Sequence, residues 1–187
     1  LFRSGDILMG SAVTRNKSLH QQLFRMHAIQ GISISGDDAA QVQRSLASMQ
    51  LRYEHQSQSA LSLMKWLKQQ PEFAQVLHPA DTESAGHAYW KEICQDGHSA
   101  GLVSVIFKPE YAMQDIRAFC DALSLFKLGF SWGGPLSLVM LYDLKTMRAL
   151  QHTHLQQGLL VRFCIGLEHP QDLIQDIENA LKQLKRP

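Results

Sequence analysis

Apolar residues in this chain first follow a helical rhythm and later a two-residue alternation. Val42, Leu46, Met49, Tyr53, Ala60, Met64 and Leu67 recur at steps of three or four, with one longer gap bridged by Ser57. Ser35 and Asp37 can cap the start of this run, and Pro71 stops it. The spacing predicts a helix of about 33 residues, roughly 50 Å long at 1.5 Å per residue. A helix of that length suits a connection from one domain into another. Upstream, residues 7–13 read as a short buried strand and residues 19–29 as a helix.

Beyond Pro71 the pattern changes to alternating strands and helices. Residues 73–78 form a short predicted strand, 87–93 a short helix, 102–107 a strand and 111–123 a helix. Apolar segments at 126–130 and 138–141 flank a Gly-Gly turn, and residues 159–165 make the most convincing strand. The last helix opens at Pro170, a residue suited to a first helical position, and presents Leu173, Ile177, Leu181 and Leu184 as one stripe. Asp172, Asp176 and Glu178 lie in its first half, and Lys182, Lys185 and Arg186 towards its end, as the helix dipole favours. Short strands separated by helices predict an α/β fold: a small sheet covered by helices on one face.

Composition narrows the classes. At 187 residues the chain can hold one substantial core, or one domain plus part of another. A formal net charge of +1 gives no reason to expect nucleic acid or an anionic membrane as partner. No run of about 18 apolar residues occurs, so no transmembrane helix is expected. The first residues lack the basic-then-apolar pattern of a secretory signal, and the missing initiator Met suits a fragment or a processed chain. Cys94, Cys120 and Cys164 are odd in number and widely spaced, which fits reduced thiols in a cytoplasmic protein. Cys120 and Cys164 have apolar neighbours and are expected in the core.

Arg162 is the most informative single residue. Alternation puts Leu159, Val161, Phe163 and Ile165 on one face of its strand, with Leu160, Arg162 and Cys164 on the other. A guanidinium cannot be neutralised, so in so apolar a strand it needs an anion or a path to water. A salt bridge to a nearby carboxylate or an exposed edge strand would satisfy it. So would a two-pronged grip on a substrate carboxylate, the geometry at which arginine excels. The second feature is Ser131-Trp132-Gly133-Gly134-Pro135. It reads either as a tight turn beside a buried Trp, or as a ligand site in which Ser131 donates a hydrogen bond and Trp132 walls a pocket. Among nine histidines, His152 and His154 are the closest pair. No carboxylate or thiol at a useful spacing joins them, so loop histidines are expected rather than a metal site. Residues 129–134 lack the Lys-Ser/Thr ending of a phosphate-binding loop.

Taken together, Phe130-Ser131-Trp132-Gly133-Gly134, Val161-Arg162-Phe163-Cys164-Ile165-Gly166-Leu167-Glu168 and Asp172-Leu173-Ile174-Gln175-Asp176 resemble the cystathionine β-lyases. These belong to the Cys/Met-metabolism enzymes that depend on pyridoxal phosphate (PLP). Ser45-Leu46 to Arg52, His55 and residues 60–67 resemble that family's long interdomain helix. His78-Pro79 and Gly86-His87-Ala88-Tyr89-Trp90-Lys91 resemble its His-Pro-Ala and Gly-His-x-x-Trp-Lys stretch. The resemblance covers the chain from end to end. Trp132 stands where γ-synthases and γ-lyases usually carry Leu, which tilts it towards the β-lyase branch. Two features depart from the pattern: Arg3-Ser4-Gly5-Asp6 lacks the family's histidine, and Leu136-Ser137 lacks its glutamate.

The resemblance implies the C-terminal small domain of the aspartate-aminotransferase-like PLP fold. Residues 1–45 would be the tail of the large PLP-binding domain, and residues 46–187 the domain that closes over substrate. Arg162 would bind the substrate α-carboxylate, with Ser131 and Trp132 completing the pocket. No catalytic, cofactor-binding or metal-binding residue is expected in the chain, because the Schiff-base lysine falls just ahead of Leu1. Lys17, the nearest lysine, has no phosphate-binding context. The implied reaction converts cystathionine to homocysteine, pyruvate and ammonia, with PLP as electron sink in the intact enzyme. Implied partners are an amino-acid substrate, the missing PLP domain and further copies in a homo-oligomer. An inactive binding or oligomerisation module and a γ-acting relative are the alternatives.

Overall fold

The computed structural model describes residues 7, 9–94, 97–144, 155 and 158–184. In chain order the elements are α1 (Lys17–Ile29), α2 (Gly36–Leu46), α3 (Met49–Leu67), β1 (Phe73–Leu77), α4 (His87–Ile93) and β2 (Leu102–Phe107). Then come α5 (Met113–Ala122), β3 (Lys127–Leu128), β4 (Leu138–Tyr142), β5 (Leu160–Cys164) and α6 (Pro170–Leu181). From β1 onwards the elements fall within a few residues of the positions predicted.

The strands make one sheet in the order β1-β2-β5-β4-β3, antiparallel except for the short β3–β4 pair. Alternation divides each strand. Val103, Val105, Phe107, Val139, Val161 and Phe163 point to a face packed against α3, α5 and α6. Edge-to-face rings run through this core: Phe73 on Phe107, Phe107 on Phe119, and Phe163 between Phe119 and Phe126, with centroids 4.9–6.4 Å apart. The expected helix layer on one face is therefore present. Cys120 and Cys164 are buried free thiols, and burial pushes the Cys120 thiol up to about 12.

Three expectations need correction. The described residues of 7–13 form no strand. No neighbouring strand offers them a ladder, and Val13 is 93% exposed. The single helix of about 33 residues is broken at Ala47–Ser48. Ser48 leaves helical geometry at φ −103°, ψ 2°, and Arg52 reaches back to bond the Ser45 carbonyl at 3.0 Å and the Ser48 hydroxyl at 3.3 Å. Leu46 is 44% exposed, so the apolar stripe does not run across the break. Asp176 does not serve chiefly as a dipole charge. It is buried, and its carboxylate accepts the backbone N–H groups of Ser124, Leu125 and Phe126 at 2.8, 2.8 and 3.3 Å, pinning the approach to β3.

Ser57, the polar residue bridging the α3 stripe, is buried because Ser99 partners it: its hydroxyl accepts the Ser99 N–H at 2.9 Å. The two halves of the His-Pro and Gly-His stretch also meet, His87 Nδ1 lying 3.0 Å from the Pro79 carbonyl. By contrast, α1 has no buried residue. Phe24 and Ile29 are 68% and 78% exposed, and Ile32 and Ile34 extend this apolar surface. Among the described residues no helix is long and apolar enough to cross a membrane.

Candidate functional site

Arg162 sits mid-way along β5, paired with Ser104 of β2 and Met140 of β4. Its side chain therefore leaves the sheet on the face opposite the helix layer, as alternation predicted. No carboxylate among the described residues meets the guanidinium. Its hydrogen bonds leave from Nη2: one of 2.7 Å to the Phe130 carbonyl, with the Gly129 and Ser131 carbonyls flanking it at 3.5 Å. Among the described residues the buried Nε has no hydrogen-bond partner. Two rings lie close to the cation, Trp132 at 5.8 Å and Tyr142 at 5.6 Å from Cζ to ring centroid. Carbonyl dipoles and ring faces hold a guanidinium in place while leaving its unit charge unneutralised.

The loop joining β3 to β4 is braced from below. Gly133 adopts φ 75°, a conformation glycine takes without strain, and lies near the Cys164 thiol. Burial raises the pKa of that thiol, with the Gly133 N–H and Arg162 as weaker opposing influences. Gln56 of α3 donates to the Gly134 carbonyl at 2.8 Å, and the Leu167 N–H donates to that of Pro135 at 2.8 Å. Glu168 clasps Ser137 with both oxygens, accepting its N–H and its hydroxyl at 2.8 Å each. The Ser137 hydroxyl in turn accepts the Gly166 N–H at 2.9 Å. A Cβ on Gly166 would collide with the Pro135 carbonyl and the Glu168 carboxylate, so only glycine fits there.

Of the three residues singled out from sequence, all fall in one cluster. Arg162 is central, Trp132 is beside it, and Ser131 meets it through its backbone carbonyl. Trp132 is 59% exposed, which overturns the reading of a buried indole beside a tight turn. Phe130, whose carbonyl bonds the guanidinium, is 67% exposed, so two uncovered aromatic side chains flank the arginine. Sequence reasoning missed Tyr142, Gln56 and the Glu168 clasp. Tyr142 carried a weak signal, since it stands two residues beyond Met140 and so shares its face. His152 and His154 lie outside the described residues. Among the described residues no cluster of His, Cys, Asp or Glu could hold a metal.

This architecture has known counterparts. Residues 4–182 match the family described as Cys/Met metabolism PLP-dependent enzyme. The chain belongs to that family. The cystathionine beta-lyase of Bordetella avium is 35% identical over 176 residues, covering 94% of this chain and 43% of that protein. The metB crystal structure from Corynebacterium glutamicum superposes with a TM-score of 0.78 at 28% identity, covering 92% of this chain and 44% of that one. A cystathionine gamma synthase from Xanthomonas oryzae pv. oryzae, solved in complex with aminoacrylate and cysteine, gives 0.77 at 26% identity, with 92% and 44% covered. This chain spans under half the length of these relatives. Its α/β fold is that of a portion of the PLP enzymes of this family, and PLP is the family's cofactor.

Proposed function

We propose that this chain forms the substrate-carboxylate part of a PLP-dependent carbon–sulfur β-lyase acting on L-cystathionine. The observation that carries the reading is Arg162: a cation on an apolar sheet face, held by carbonyls and rings rather than by any carboxylate among the described residues. A planar guanidinium with capacity to spare matches the paired oxygens of a carboxylate, as it would those of a phosphate. Names among the similar sequences favour the β-lyase branch, and Trp132 in place of leucine agrees with them.

In this reading Arg162 grips the α-carboxylate, while Ser131 and Trp132 shape the rim of the pocket. Fixing that end of the substrate orients its Cα–H bond, which contributes positioning rather than bond cleavage. When bound, PLP supplies the electron sink for loss of the Cα proton and of the β-carbon–sulfur bond. The cationic site described here suits the substrate end, so the Schiff-base lysine and the phosphate site are assigned to residues other than those described. Residues 1–45 are assigned to the tail of the PLP-binding domain and residues 46–187 to the domain that closes over substrate. The exposed apolar surface of α1 supports the first assignment. The same surface favours assembly into a homo-oligomer.

The test is Arg162→Ala in the PLP enzyme that carries this chain. Truncating one partner of a charge-paired hydrogen bond costs about 2–5 kcal/mol, so kcat/KM for cystathionine should fall by at least about 30-fold. Unchanged saturation behaviour would remove Arg162 from the site. Product analysis settles the branch: pyruvate with homocysteine marks β-cleavage, whereas 2-oxobutyrate with cysteine would assign the γ-reaction. No turnover in the wild-type holoenzyme would favour a non-catalytic binding module.

A further inference from the structure

The register of the sheet places one more aromatic residue on the arginine. Tyr142 ends β4, and Met140 pairs with Arg162 while Tyr142 pairs with Leu160. Tyr142 and Arg162 are therefore diagonal neighbours on one face, a separation that an aromatic ring and a long side chain can bridge. The ring centroid lies 5.6 Å from Cζ. Tyr142 also meets the Phe130 ring, centroids 6.4 Å apart at 67°. Phe130 thus acts on the arginine twice, through its carbonyl on Nη2 and through its ring on Tyr142.

We propose that Tyr142 is a positioning residue for Arg162, holding the guanidinium ready for the substrate carboxylate; this rests on the carboxylate reading above. Among the described residues the buried Nε has no partner, so no hydrogen bond from them at the stem fixes the last torsions of the side chain. Ordering falls to the Nη2–carbonyl bonds and to the two rings. Trp132 and Phe130 belong to the β3–β4 loop and are 59% and 67% exposed. Tyr142 instead lies in a strand laddered to β5, so it is the fixed wall against which the cation rests. A ring suits this task better than an acid would. Its face attracts the cation but leaves the charge intact for an incoming carboxylate. A side chain already ordered loses less freedom when substrate binds, which lowers KM without touching the chemical step.

The experiment compares Tyr142→Leu, Tyr142→Thr and Tyr142→Phe in the PLP holoenzyme, with folding checked by circular dichroism. Tyr142→Leu should raise KM for the amino-acid substrate roughly 2- to 30-fold, with kcat changing less than KM. Tyr142→Phe should restore KM to within about twofold, since the ring face and not the hydroxyl does the holding. Tyr142→Thr keeps a strand-forming residue and carries the test if the leucine variant does not fold. Folded variants with wild-type KM, or a Phe variant as impaired as Leu, would overturn the proposal. Arg162→Lys separates the two levels. If it raises KM while Tyr142→Leu does not, only the positioning role falls. If Arg162→Lys leaves KM unchanged, the carboxylate reading fails and takes this inference with it.

Discussion

Glu168→Ala should be among the most damaging single changes outside the hydrophobic core, although Glu168 is only half-buried and touches neither Arg162 nor Trp132. Its carboxylate takes two donors from Ser137, the main-chain N–H and the hydroxyl, each at 2.8 Å, and Ser137 is fully buried. Truncation leaves both donors unpaired where water has little access. Each such loss costs about 1–3 kcal/mol, giving roughly 2–5 kcal/mol after some relaxation. Glu168→Gln should cost less, about 1–3 kcal/mol. One amide oxygen can still accept the N–H, but the amide nitrogen faces a hydroxyl that needs an acceptor. Ser137→Ala removes the same hydroxyl and strips the Gly166 N–H of its acceptor, so the two positions are coupled. Urea unfolding of wild type, both single variants and the double variant forms the cycle. The expected coupling is at least about 0.5 kcal/mol, the lower end for residues sharing one network. A Glu168→Ala variant within about 0.5 kcal/mol of wild type, the range of an ordinary surface change, would refute the reasoning.

Two further outcomes are expected. His78 is buried, its Nδ1 accepts the Ala80 N–H at 3.2 Å, and among the described residues its Nε2 has no partner. Burial lowers its pKa below the ordinary 6.5, with Asp81 a weaker opposing influence. The unfolded chain therefore binds this proton more readily, so the stabilisation is complete above about pH 6.5 and declines as pH falls towards the lowered folded value. Melting curves between pH 7.5 and 5 (roughly the window in which histidine titrates) should show a smaller acid loss for His78→Asn than for wild type, and equal losses would contradict it. The 187-residue chain should also self-associate through α1, whose Phe24 and Ile29 are exposed. Light scattering across concentrations should show a rising mass that Phe24→Glu reduces, and a clean monomer throughout would count against it.

Much of this protein follows from local pattern. The pleat sends successive side chains to opposite faces, so alternation alone placed Val161 and Phe163 in the core and Arg162 on the other side. The stripe of Leu173 and Ile177 after Pro170 gave α6 its buried face through the helical period of about 3.6 residues. Arg162 stood out because a permanent charge in an apolar strand demands an explanation wherever the strand lies.

Tertiary structure decided which residues become neighbours. Periodicity assigns a face but not a partner, so the order β1-β2-β5-β4-β3 was not contained in it. That order brings Tyr142 onto Arg162. The folded chain brings Asp176 to three backbone N–H groups some fifty positions earlier, and Glu168 to Ser137 thirty-one positions before it. A good helical rhythm also failed to predict the break at Ala47–Ser48, because propensity is weak beside a side chain such as Arg52 that can take over a freed carbonyl. Sequence determined what each residue required; only the packed sheet and loops determined what supplied it.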